Sequence, residues 1–153
     1  KEKRDACVAL GATKAINYRD EDFVAEVREA TGGQGVDVVL DIIGGAYLQR
    51  NLEVLAIEGR LVHIGQLGGS RAEISLVPLL RRRLTITAST LRPRSVAEKG
   101  AIARAVREHV WPLLARGAVR IPVHATFGLR DAAEAHRVME SSSHVGKLLL
   151  TVE

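Results

Sequence analysis

Val36-Asp37-Val38-Val39-Leu40-Asp41-Ile42-Ile43-Gly44-Gly45 is the stretch from which the fold is read. From Val36 to Ile43 only Asp37 and Asp41 interrupt an apolar, largely β-branched run, and two glycines close it. Such a run predicts a strand buried on both faces, the usual condition of a parallel sheet.

The flanks of this run repeat one alternation. Upstream, Asp20-Glu21-Asp22 offers caps and dipole-favourable acids for a helix reaching about Thr31. Its Phe23, Val24 and Val27 share one face, and Gly32-Gly33-Gln34-Gly35 breaks it. Before that, Ala15 to Tyr18 reads as a short strand and Arg4 to Leu10 as the end of a helix stopped by Gly11. That first helix has no capped beginning, so the sequence is expected to open inside a longer protein. Downstream, a helix from about Tyr47 to Ala56 is predicted to end at Glu58-Gly59. A strand Leu61–Ile64 opens into Gly65-Gln66-Leu67-Gly68-Gly69, followed by a short helix near Val77–Arg82 and a strand Leu84–Ala88. A long helix is expected from Val96 to Ala115, its tail marked by Trp111-Pro112. Then come a strand Val123–Phe127, an amphipathic helix Asp131–Glu140 and a last strand Leu148–Val152. Strand–helix–strand spacing of this kind implies right-handed crossovers and an α/β fold with a mainly parallel sheet.

Composition narrows the function. The 153 residues carry a net charge of +4, but the arginines are dispersed apart from Arg81-Arg82-Arg83. With two Phe, two Tyr and one Trp there is little to stack on bases, so nucleic acid is not an expected partner. Cys7 is the only cysteine, which rules out an internal disulfide. No apolar run approaches the roughly 20 residues of a membrane span, and the charged opening lacks a signal-peptide core. A cytoplasmic protein without membrane attachment is expected.

Ligands of open parallel sheets bind beyond the carboxyl ends of the strands. Three such ends carry suitable residues: Asp41-Ile42-Ile43-Gly44-Gly45, Ile64-Gly65-Gln66 and Ser89-Thr90-Leu91. Glycines admit a ligand close to the main chain, and loop amides donate to phosphate or carboxamide oxygens. By themselves these glycines also suit plain turns. The five histidines show no metal-ligand spacing, so no metal site is expected, and Ser141-Ser142-Ser143 lacks a nucleophile elbow.

Read in order, several short motifs resemble the medium-chain dehydrogenase/reductase superfamily, and within it the zinc-independent NADPH:quinone oxidoreductases. They are Leu10-Gly11-Ala12, Ile16-Asn17-Tyr18-Arg19, Thr31 to Asp37, Val39 to Gly45, Gly59 to Gly65, and Val145-Gly146-Lys147-Leu148. The resemblance implies an incomplete Rossmann-type, doubly wound sheet with helices on both faces over residues 1–117. Its first strand and glycine-rich turn would be missing, and residues 118–153 would return toward an absent GroES-like substrate domain. It implies NADPH as cofactor, with Lys3 at the adenosine 2′-phosphate and Tyr18 beside the adenosine. Ile42 and Ile43 would line the cleft, and Gly65, Gln66, Thr90 and Leu91 would approach the nicotinamide and its ribose. Lys147 would face either the phosphates or the surface. No residue is assigned a catalytic role. The expected activity is hydride transfer to a quinone or related conjugated carbonyl compound by a homodimer of the full-length protein. Alternatives are an enoyl or alkene reductase, a zinc-type alcohol dehydrogenase, or a cofactor-binding, crystallin-like protein without turnover. Residues 1–153 alone are expected to be inactive, to bind NADPH weakly and to associate.

Overall fold

The computed structural model describes residues 1–152 as a mixed α/β chain with parallel sheets. It divides into two compact units, Lys14–Arg94 and residues 1–13 together with those from Ser95 onward.

The first unit holds β1 (Val36–Asp41), β2 (Leu55–His63) and β3 (Thr85–Ala88) in one sheet of that order, both pairs parallel. Helices α2 (Phe23–Ala30), α3 (Tyr47–Glu53) and α4 (Val77–Arg82) accompany it. Parallel neighbours cannot be joined by a tight turn, so α3 and α4 lie on the crossovers. Leu52, Leu55 and Leu61 are fully buried and form the centre of the core. Val36, Val39, Leu48, Ile74, Leu79 and Leu84 pack around them. Burying each leucine stabilises the fold by about 1.5–3 kcal/mol.

Three expectations need correction here. Ala15–Tyr18 is not a strand, because the polar groups of Asn17 are satisfied locally. Its amide donates to the Glu21 carboxylate (2.8 Å), and its carbonyl accepts from the amides of Asp20 and Glu21 (3.0 and 2.9 Å). β1 is not buried on both faces: Val38 and Leu40 remain 50% and 64% exposed, and Asp41 is its one buried residue. α3 ends at Glu53, and β2 begins at Leu55 rather than Leu61. Arg82 explains the early stop. Its guanidinium donates to the carbonyl of Glu53 (3.0 Å), left open at the end of the helix, and to that of Leu55 (2.8 Å), the first residue of the strand. Glu58-Gly59 therefore lies inside β2, where the register passes from Val36 opposite Leu55 to Val38 opposite Arg60. Glu58 adopts φ 62° there and pairs with Arg83 at 3.0 Å.

The second unit contains α1 (Glu2–Ala9), α5 (Val96–His109), α6 (Trp111–Ala115), α7 (Ala132–Glu140) and the parallel pair β4 (Val123–Gly128) and β5 (Lys147–Thr151). Ser95 and Glu98 form a capping box at the start of α5: the Ser95 hydroxyl accepts from the Glu98 amide at 3.2 Å. The Glu98 carboxylate accepts in return from the Ser95 amide at 2.9 Å. The expected single helix Val96–Ala115 is two, broken at Val110, because Pro112 has no amide to continue the ladder. No helix among the described residues is long and apolar enough to cross a membrane.

Candidate functional site at the carboxyl ends of the strands

The site grows from Asp41, the last residue of β1 and only 2% exposed. Oδ1 accepts the amides of Ile43 (2.8 Å) and Gly44 (3.0 Å), which curls the chain sharply after the strand. Oδ2 accepts from His63 Nδ1 at 3.2 Å. Parallel register produces this meeting, since Asp41 stands directly opposite His63, the last residue of β2. Burial is the largest single influence on the Asp41 carboxyl and pushes its pKa up. The Gly44 and Ile43 amides and then His63 together outweigh it, holding the pKa below the ordinary aspartate value.

The loops after β1 and β2 run side by side. Ile64 donates its amide to the Asp41 carbonyl (2.8 Å), Leu67 to Ile42 (3.2 Å) and Gly68 to Ile43 (2.7 Å). The backbone here leaves no room for side chains. Gly44 and Gly45 have φ 64° and 54°, and a Cβ on Gly44 would lie 2.8 Å from His63 Cε1. A Cβ on Gly45 would collide with the Gly68 carbonyl, and one on Gly65 would come within 3.0 Å of the Ile42 carbonyl. The loop after β3 is anchored too: Ser89 donates its amide to the His63 carbonyl (3.0 Å), and Arg94 donates to the Ser89 hydroxyl (2.8 Å) and the Thr90 carbonyl (3.3 Å).

Two pockets open along this edge. One, of about 290 Å³, is walled by His63, Ile64, Gly65, Gln66, Ala88, Ser89 and Thr90, so that Gly65, Gln66 and Thr90 share one wall. The other, of about 410 Å³, joins Tyr18 and Ile43 to Phe23, Tyr47, Asn51, Leu67 and Gly68. Phe23 stacks on Tyr47 with ring centroids 5.8 Å apart, Tyr18 meets Tyr47 edge-on, and the Arg50 guanidinium lies 4.3 Å above Phe23. Arg50 also pairs with Asp22, and this pairing, with the Val24 amide, lowers the Asp22 pKa. Ile42 and Leu91 are exposed at this edge and line neither pocket.

Lys3 and Lys147 belong to the other unit. Lys3, on α1, donates its ammonium to the Ser142 carbonyl, while Lys147 opens β5 with an exposed side chain. Among the described residues no three His, Cys, Asp or Glu side chains gather as metal ligands. Sequence reasoning missed His63, which it had set aside with the other histidines, and the Phe23–Tyr47 stack. The available signal for the first was Asp41 and His63 closing successive strands.

The family described as zinc-binding dehydrogenase matches residues 10–150. The 2-haloacrylate reductase of Burkholderia sp is 35% identical over 97% of this chain and 45% of its own length. The mycocerosic acid synthase-like polyketide synthase of Mycobacterium tuberculosis is 33% identical over 98% of this chain but 7% of its own. Among solved structures, a quinone oxidoreductase of Pseudomonas syringae superposes with a TM-score of 0.76 at 26% identity. It covers 97% of this chain and 46% of that one. The chain thus spans less than half the length of these relatives, and by the extent of the match it belongs to the zinc-binding dehydrogenase family, within the medium-chain dehydrogenase/reductase superfamily.

Proposed function

We propose that this chain is part of an NADPH-dependent oxidoreductase that transfers hydride to a quinone or a related conjugated carbonyl compound. One observation carries the reading: the loops after β1, β2 and β3 meet at one end of a parallel sheet, where glycines let the first two loops lie against each other and a pocket opens between the second and the third. That is where open α/β sheets take their ligands. Likeness to a quinone oxidoreductase and to a 2-haloacrylate reductase supports an electron-poor acceptor.

The residues fit a dinucleotide by their chemistry. An aromatic and aliphatic pocket holding Tyr18 and Ile43 suits the flat adenosine end. The pocket of Gly65, Gln66 and Thr90 offers an amide, a hydroxyl and open backbone to a carboxamide and a ribose. Ile42 and Leu91 would exclude water beside it. When bound, the cofactor supplies the hydride, and the protein orients it. Lys3 would serve the 2′-phosphate and Lys147 the phosphate charges. Residues 1–117 would form the partial dinucleotide-binding domain, with 118–153 returning to a substrate domain, in a cytoplasmic, zinc-independent homodimer.

A second reading is enoyl or alkene reduction, favoured by the likeness to the 2-haloacrylate reductase and to the polyketide synthase. Steady-state NADPH oxidation by the full-length protein separates the two. The panel holds quinones, enones and simple aldehydes, before and after exhaustive chelation. Quinone turnover that survives chelation is expected. Enone turnover alone would hand the function to the second reading, and chelator-sensitive turnover confined to aldehydes and alcohols would sink both.

A further inference from the structure

We infer that His63 is a further cofactor-binding residue: Asp41 holds its ring by Nδ1, and Nε2 takes a polar group of the nicotinamide half of the dinucleotide. The inference rests on the proposed cofactor, and it begins from the unequal situation of the two ring nitrogens. Nδ1 is tied to Asp41 Oδ2 at 3.2 Å, and that carboxylate is itself fixed by the Ile43 and Gly44 amides on its other oxygen. A buried carboxylate accepts, so Nδ1 carries a proton. In the neutral ring Nε2 is then a bare acceptor, and in the charged ring a donor.

Nε2 has no hydrogen-bond partner among the described residues, while the ring forms part of the wall shared with Gly65, Gln66, Ser89 and Thr90. The same ring borders a neighbouring hollow of about 330 Å³ with Gly44, Gly45 and Gly69. Gly44 has no side chain to displace it: a Cβ there would lie 2.8 Å from Cε1 and 3.5 Å from Nε2. A ring needed only to fill space would be served better by an apolar side chain, because burying Asp41 beside it is costly. Anchored on one edge and open on the other, the imidazole is preorganised for a ligand hydroxyl or carboxamide, the groups that a nicotinamide riboside presents. The aromatic pocket of Tyr18 and Ile43 does not include His63, which assigns the contact to the nicotinamide half.

The test uses the full-length protein with three probes: NADPH, reduced nicotinamide mononucleotide and 2′,5′-ADP. His63→Asn keeps an amide able to reach Asp41 as Nδ1 does, but has nothing at the position of Nε2. It should weaken NADPH and the mononucleotide by about three- to ten-fold, the worth of one neutral hydrogen bond. Binding of 2′,5′-ADP and the thermal midpoint should stay at wild-type values, and His63→Gln, whose amide reaches toward the Nε2 position, should recover part of the loss. Wild-type affinity in His63→Asn would overturn the inference, as would equal weakening of all three probes with a lowered midpoint. A second measurement needs no variant. NADPH should shift the Nε2 resonance of His63 in the wild-type protein, and an unmoved resonance overturns the contact. Wild-type protein that binds none of the probes would overturn the dinucleotide reading as well, whereas wild-type binding with an indifferent His63 removes only the inference.

Discussion

Replacing Asp41 tests the centre of the site, because three hydrogen bonds end on one buried carboxylate. In Asp41→Ala the amides of Ile43 and Gly44 and the His63 Nδ1–H lose their acceptor. Each donor left unpaired away from water costs about 1–3 kcal/mol, and water reaching the loop recovers some of it, so a loss of about 3 kcal/mol is expected. Asp41→Asn keeps an oxygen for the two amides and turns its NH₂ toward Nδ1, which must then become the acceptor. About 1 kcal/mol is expected from exchanging a charge-assisted bond for a neutral one. The pH dependence has a definite sign. The folded-state pKa of Asp41 is lowered, despite burial, by the Gly44 and Ile43 amides and His63. Its contribution is therefore complete above the unfolded aspartate value and is lost as pH falls through the lower folded value. Guanidinium unfolding of the full-length wild-type, Asn and Ala proteins, from neutral to acid pH, measures both effects. The wild-type margin over Asp41→Asn should shrink on acidification. A margin independent of pH, or an Ala variant within about 0.5 kcal/mol of wild type, would show that the Asp41 carboxylate does not anchor the loop, since surface substitutions commonly fall within that band.

Gly45→Ala places a Cβ against the Gly68 carbonyl at φ 54°, and should cost about 1–3 kcal/mol while lowering NADPH affinity, read by unfolding and by fluorescence titration. Ser95→Ala removes half of a capping box and should destabilise by about 0.5–2 kcal/mol, with Ser95→Thr restoring most of it in the same unfolding assay. Arg82→Ala uncovers the carbonyls of Glu53 and Leu55 and should lower the thermal midpoint more than Arg81→Ala does. Lys3→Ala should lower the NADPH-to-NADH affinity ratio of the full-length protein by about ten- to a hundred-fold, the worth of one charge-assisted bond. An unchanged ratio removes Lys3 from the cofactor site.

Those elements that could be read in the sequence are the ones whose signals are local. Asp22 caps α2, α4 matches the expected Val77–Arg82, and β1 follows its apolar run up to Asp41. Elsewhere tertiary pairing outvoted local pattern. A strand exists only where a neighbour completes its ladder, and Asn17 closes its own hydrogen bonds instead. The beginning of β2 was hidden for the opposite reason. Leu55 and Ala56 continue the helical pattern of Leu48 and Leu52, and it takes the pairing of Leu55 with Val36 and the Arg82 guanidinium to move them into a strand. Pro112 did mark a disturbance in the long helix, but as its tail rather than as a break.

The candidate site was legible as three loop positions and illegible as a constellation. Spacing along the chain tests a histidine only against its sequence neighbours, whereas Asp41 and His63 are 22 residues apart and meet through strand register. That register follows from the apolar pattern that buries Leu61, and the Asp41–His63 contact adds to it. Side chains directly opposite in a parallel pair share a face, so a slip of one residue would set Ile64 against Asp41. The carboxylate would then keep its burial and lose its imidazole, at the cost of one hydrogen bond to a charged group, about 1.5–3 kcal/mol. An apolar residue at position 41 would impose no such penalty on a slipped sheet. The Asp41–His63 pair thus favours the alignment that brings the glycine loops side by side, and the open edge of the same imidazole is what a ligand held between those loops would touch.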